Sequence, residues 1–266
     1  MKTYYDGSIG EDDNGDEWIT LAGIAATDSV WADFDIQWSR MLARRYPIAP
    51  YIHMVELLGG RDPFEPHVGW DICKKQELIQ DAIILLSHMN KAEVKMVWCS
   101  INNSARVRLQ HEGISVPPDP HYKCALTCLA LTAGIYMRNV SVEEREPLYI
   151  FYDRGEKFFT EFKHNWLSGR THPGEKKNFD NWWDRFENVL DLDLPNHFPL
   201  QAADMIAWGH SRALSDKERL FSHLKKWLID FVPSAAVEIT EETMRKQADI
   251  WPYLNCATAD CVSSSA

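Results

Sequence analysis

Three aspartates stand in otherwise apolar surroundings. Asp6 closes "KTYYD", Asp153 closes "PLYIFYD", and Asp204 falls on the stripe formed by Leu200, Ala203, Ala207 and Trp208 in "HFPLQAADMIAWGHSRAL". A buried, unpartnered carboxylate costs on the order of several kcal/mol, so each needs a physical reason. In α/β sheets, sites form beyond the carboxyl ends of parallel strands, where Asp6 and Asp153 meet if their strands are parallel neighbours. A helix laid across the sheet, with small Ala202 and Ala203 allowing close approach, delivers Asp204 to the same place. Three carboxylates brought together repel one another unless protons or cations intervene. Mg²⁺ or Mn²⁺ resolves that conflict, being hard cations that take oxygen ligands. Two such ions about 4 Å apart activate a water and stabilise the leaving oxygen of a phosphodiester. The trio therefore predicts phosphoryl chemistry. Each member also has a structural alternative: Asp6 and Asp153 as turn residues, Asp204 as the buried partner of an arginine.

Other residues extend the candidate site. His53 can carry a proton or touch a phosphate, or be a hydrogen-bonded structural group at a strand end. Gln201, one helical turn before Asp204, can orient that carboxylate, a water or a substrate, or cap the helix. Residues 154 to 177 hold six basic side chains against three acidic ones, net +3 in a chain of net -11. Arg154, Lys157 and Lys163 open that segment as candidate substrate contacts. A reversal of sign beside a metal site suits a polyanion such as nucleic acid, although a solvated helix face has the same composition. Trp182 and Trp183 can stack on the bases of a single strand or belong to the core. With Asp153 and Glu56 as acid and nucleophile a glycosidase is conceivable, but no spacing favours it.

The elements that must position these groups alternate between strand and helix. "KTYYD" and "WITLAGIAA" read as strands joined by the polar "GSIGEDDNGDE". A helix capped by Asp28 or Ser29 runs from about Val30 to Arg45, with Trp31, Phe34, Trp38, Met41 and Leu42 at helical spacing. "YIHMVELLGG" reads as a short extended piece closed by glycines. Helix Trp70 to Met89, strand "AEVKMVWCSI" and helix Tyr122 to Met137 follow. "PLYIFYD", apolar on both faces, has the pattern of a central strand. A helix from Glu156 to Leu167, a strand at "NVLDLDL" and a helix opening near Pro199 complete the order. The fold class is α/β. The expected organisation is one domain over residues 1 to 254, with a core at 2 to 214, a helical appendage at 215 to 254 and a disordered tail at 255 to 266.

No run of about 18 apolar residues appears, and "MKTYYDGSIGEDD" lacks the apolar stretch of a signal peptide. The expectation is a soluble, cytoplasmic protein without membrane contact. The six cysteines show no CxxC pair and no zinc spacing. Cys124 and Cys128 share a helix face and read as buried free thiols.

"YYDGS", "YIFYD" and "PLQAADMIA" together resemble the domain of unknown function 3800 family, placed in the ribonuclease-H-like superfamily. The resemblance spans roughly residues 2 to 214, and Leu200-Gln201-Ala202-Ala203-Asp204 is its most specific motif. It implies a mixed sheet flanked by helices, and carboxylates holding two magnesium or manganese ions: Asp6, Asp153 and Asp204, with Glu56 as a fourth acid on an early helix. His53 and Glu56 then join the three aspartates as candidate catalytic residues. The first motif departs from the family, because Gly7 stands where a second acid is usual and Ile9 where glycine is usual. On a strand, an acid at position 7 would point away from Asp6, which makes its loss tolerable. The expected function is metal-dependent hydrolysis of phosphodiester bonds in nucleic acid. The rival is a non-catalytic ribonuclease-H-like module that binds nucleic acid or a protein, and a third reading is hydrolysis of a small nucleotide.

Overall fold

A computed structural model of the chain describes residues 1–89, 93–139, 147–156, 186–213 and 235–248. Strands β1 (Lys2–Glu11) and β2 (Glu17–Ala26) form a ten-residue antiparallel hairpin, in register from Lys2 opposite Ala26 to Glu11 opposite Glu17. Its turn is set locally. Asp12 Oδ1 accepts the backbone N–H groups of Asn14 and Asp16, and Gly15 takes the positive φ of 81° that side chains disfavour. β3 (Lys95–Asn102) continues the meander antiparallel to β2. β4 (Leu148–Asp153) joins β1 in parallel, β5 (Phe186–Leu192) joins β4 in parallel, and β6 (Ala235–Ile239) lies parallel to β3. The strand order is β5-β4-β1-β2-β3-β6, a six-stranded mixed sheet.

Alternation along the strands divides the core between the two faces. On one face Tyr4 stacks on Phe151 with ring centres 4.8 Å apart and meets the edge of Trp31; on the other, Tyr5 stacks on Tyr152 at 5.3 Å. The Tyr4 face is covered by α1 (Asp28–Ala43), α3 (Ile72–His88) and α6 (Phe198–Ala213), with short α2 (Met54–Gly59) at its margin. Trp31, Phe34, Trp38, Met41 and Leu42 of α1 are buried there, as their spacing predicts. The Tyr5 face is covered by α4 (Asn103–His111) and α5 (Pro120–Asn139), with α7 (Glu241–Lys246) beyond. Cys124 and Cys128 are buried free thiols in that second core.

β4 lies between β1 and β5, and its apolar faces are covered on both sides, which is the central position its composition predicts. Two local expectations are corrected. "MVELLG" is helical rather than extended: α2 is six residues long, and Gly60, at a left-handed φ of 62°, ends it. The described part of the region after residue 214, expected to be helical, holds the helix α7 but also contributes β6 to the sheet edge. The expected helix from Glu156 lies outside the described residues except for Glu156 itself, and so does the tail.

A buried carboxylate cluster at the ends of parallel strands

The last register pair between parallel β1 and β4 is Tyr5 opposite Tyr152, and Asp6 and Asp153 are each the next residue. Alternation places both on the face of Tyr4 and Phe151, the face that α6 crosses. α6 comes close because its inner positions are small. Ala202, Ala203 and Ala207 are fully buried, and a Cβ on Gly10 of β1 would stand 2.7 Å from the Ser211 carbonyl oxygen. Asp204 thereby reaches the strand ends, only 4% exposed, against 6% for Asp6. Among the described residues no arginine pairs with Asp204. Its Oδ2 accepts the Met54 backbone N–H at 2.6 Å, which joins α6 to the first residue of α2.

The carboxyl groups sense one another. Burial raises Asp6 well above the usual carboxylate range, and the charges of Asp204, Glu156 and Asp153 push it further. Burial also raises Asp204, to about 7; His53 and the Met54 N–H oppose the rise, while Asp153 and Glu56 add to it. Asp153 is held by backbone donors, with Gly155 N–H at 3.0 Å on Oδ2 and Leu194 N–H at 3.2 Å on Oδ1. These bonds orient it beside the turn that leaves β4.

His53 and Glu56 stand next to the cluster. Glu56 Oε2 accepts the Tyr51 hydroxyl at 2.7 Å, and its Oε1 lies 3.4 Å from His53 Nδ1. Both act on Asp204 through their charges, so the early helix borders the site. Gln201 has a different place from the one expected. It is fully buried: Oε1 accepts from Trp38 Nε1 and Ile52 N–H, both at 2.9 Å, and Nε2 donates to the Leu194 and Pro195 carbonyls. With its amide occupied on both ends, Gln201 braces α6 against α1 and the segment before α2 and offers no group to a substrate. Arg154 is exposed and its Nε donates to Asp191 Oδ2 at 3.2 Å. Lys157, Lys163, Trp182, Trp183 and the rest of the basic segment lie outside the described residues.

Glu156 is a neighbour of Asp6 and Asp153 that the sequence patterns did not reveal. It follows β4 by three positions, and its N–H donates to the Asp153 carbonyl across a tight turn. Burial raises its carboxyl group, against the opposing influence of His121, Asp6 and the Gly7 N–H, a group that itself donates to Asp6 Oδ1 at 2.7 Å. The available signal was the pair Asp153 and Glu156 flanking Arg154-Gly155 just past a central strand.

The donor set fits a hard divalent cation in kind: oxygen ligands carrying surplus negative charge at a largely buried place. Among the described residues, no three or more His, Cys, Asp or Glu side chains are grouped so as to hold an ion. Sheet and side chains together define a mixed α/β protein with acidic groups at the ends of parallel strands, Asp6 and Asp204 buried and Asp153 half-buried. Compared with models of known families, with curated proteins and with solved structures, the chain shows no match.

Proposed function

We propose that the chain is a ribonuclease-H-like hydrolase of phosphodiester bonds, related to the domain of unknown function 3800 family, that acts on nucleic acid with divalent metal ions. The observation that carries this reading is the meeting of Asp6, Asp153 and Asp204, from β1, β4 and α6, within reach of each other's charge. A six-stranded mixed sheet with helices on both faces agrees with the fold that the sequence resemblance implies. Two ions of Mg²⁺ or Mn²⁺ would supply an activated water and charge stabilisation at the departing oxygen. Asp6, Asp153 and Asp204 are the residues to hold them, with Glu56 beside. The protein's own contribution is to fix those carboxylates: backbone N–H groups of Met54, Gly155 and Leu194 orient Asp204 and Asp153. His53, partly exposed beside Glu56 and bearing on Asp204 through its charge, would exchange a proton with solvent in this reading. The test is Mn²⁺-dependent cleavage of single- and double-stranded DNA and RNA by wild type, Asp153→Asn and Asp204→Asn. The expected outcome is cleavage by wild type and a loss of at least about a hundredfold in each variant. Equal rates in all three end the proposal.

A second reading rests on the lack of a ready three-ligand group among the described residues and on the chain's net charge of -11. It is a non-catalytic module of the same fold that binds nucleic acid or a protein. Calorimetric titration with Mg²⁺ and Mn²⁺ separates the two: no binding at millimolar ion leaves the module.

A further inference from the structure

The backbone before α2 is held to α6 at alternate residues, the Ile52 N–H donating to Gln201 Oε1 and the Met54 N–H to Asp204 Oδ2. His53, between them, is extended, with φ -136° and ψ 112°. In extended backbone, side chains two apart share a side, so Tyr51 and His53 project together. Glu56 reaches back to both from the first turn of α2. Its Oε2 accepts the Tyr51 hydroxyl at 2.7 Å, and its Oε1 lies 3.4 Å from His53 Nδ1. Tyr51 is itself packed at right angles to Phe64, which is fully buried and meets Trp70 edge-on. The aromatic row anchors the phenol, the phenol anchors the carboxylate, and the carboxylate faces one nitrogen of the imidazole.

With one oxygen on Tyr51 and the other beside His53, Glu56 has the geometry of an orienting group. At 3.4 Å the pair is longer than a formed hydrogen bond, yet a carboxylate at that distance repels a lone pair on Nδ1 and attracts an N–H there. Among the described residues no other acid is ion-paired with the ring, and Asp204 acts on it at longer range. We propose that Glu56, held by Tyr51, keeps neutral His53 in the Nδ1–H tautomer and leaves Nε2 as its proton acceptor. Tyr51 and Glu56 are then positioning residues, since neither carries the proton itself. The use of that acceptor in cleavage rests on the hydrolase reading above; the tautomer does not.

The experiment is long-range ¹H–¹⁵N NMR of the full chain at about pH 9, where histidine rings are neutral, on wild type, Tyr51→Phe and Glu56→Ala, with His53→Ala to assign the signal. Wild type is expected to show His53 almost wholly as Nδ1–H, and Glu56→Ala a mixture of both tautomers. Tyr51→Phe, which keeps the carboxylate but removes its anchor, is expected to fall between the two. A wild-type ring protonated at Nε2, or a ratio that Glu56→Ala leaves unchanged, overturns the proposal. A shift in Glu56→Ala without one in Tyr51→Phe overturns the part given to Tyr51. Mn²⁺-dependent cleavage is measured on the same proteins. Tyr51→Phe is expected to lower kcat by roughly tenfold to a hundredfold with KM unchanged, and to have no such effect in the His53→Ala background. A shifted tautomer with cleavage like that of wild type overturns the catalytic use of His53. No cleavage by wild type overturns the hydrolase reading, and the tautomer is then decided by the spectra alone.

Discussion

Asp204 shows what a buried carboxyl group costs the fold. Its carboxyl is raised from the usual 3.8 to about 7, chiefly by burial, so the folded chain binds a proton there that the unfolded chain has released. Between those values the folded state holds more protons, and stability falls as pH rises from about 4 to about 7. Asp204→Asn keeps an acceptor for the Met54 N–H and removes the titration. At pH 8 the variant is expected to be more stable than wild type by on the order of 1–3 kcal/mol in urea unfolding, with the two close at pH 4. A variant less stable than wild type at pH 8 contradicts the account. On the proposed hydrolase reading, that gain in stability is expected to accompany a loss of metal-dependent cleavage. Asp204 was legible in the sequence because one carboxylate broke a helical apolar stripe. Glu156 was not, because its partner at Gly7 is brought near only by β1 and β4 pairing, and its local setting reads as one acid in a basic run.

At the scale of elements, the site depends on α6 being held both to the sheet and to the segment before α2. Gln201 links α6 to Trp38 of α1 and to Ile52, and Asp204 caps the connection at Met54. Gln201→Ala leaves the Trp38 indole N–H and the Ile52 N–H buried without acceptors and is expected to cost about 2–4 kcal/mol in chemical unfolding. A change below about 0.5 kcal/mol would show that the brace is dispensable. Long elements with a clear period, α1, α3 and α6, could be read from spacing, as could α5 from its nearly continuous apolar composition and β4 from its two apolar faces. Parallel pairing of β1 with β4 could be stated only as a condition, since no local pattern encodes a neighbour so distant along the chain. Six-residue α2 is too short to display a period, and its glycine pair reads equally well as the end of an extended piece. β6 has five residues and an outer face carrying Glu238, so its place beside β3 is fixed by pairing rather than by its own composition.

For the whole molecule, one sheet separates two cores, and both are needed to cover it. Trp31 and Trp38 are buried on the first face and Cys124 and Cys128 on the second. Because each strand contributes side chains to both, the faces cannot unfold independently. Tryptophan fluorescence and thiol accessibility are expected to share one urea midpoint, whereas separated midpoints would contradict a shared core. Among the described residues no helix is long and apolar enough to cross a membrane. If a polyanion binds, the chain's net charge of -11 must be overcome locally. Affinity is then expected to fall steeply between roughly 50 and 200 mM salt in fluorescence titrations with labelled oligonucleotides; salt-independent binding would exclude the electrostatic mode. The convergence of carboxylates on divalent ions is the central claim, and a crystal soaked in millimolar Mn²⁺ addresses it most directly. Anomalous density bonded to Asp6, Asp153 and Asp204 is the expected result. A well-ordered site with no anomalous density would contradict it.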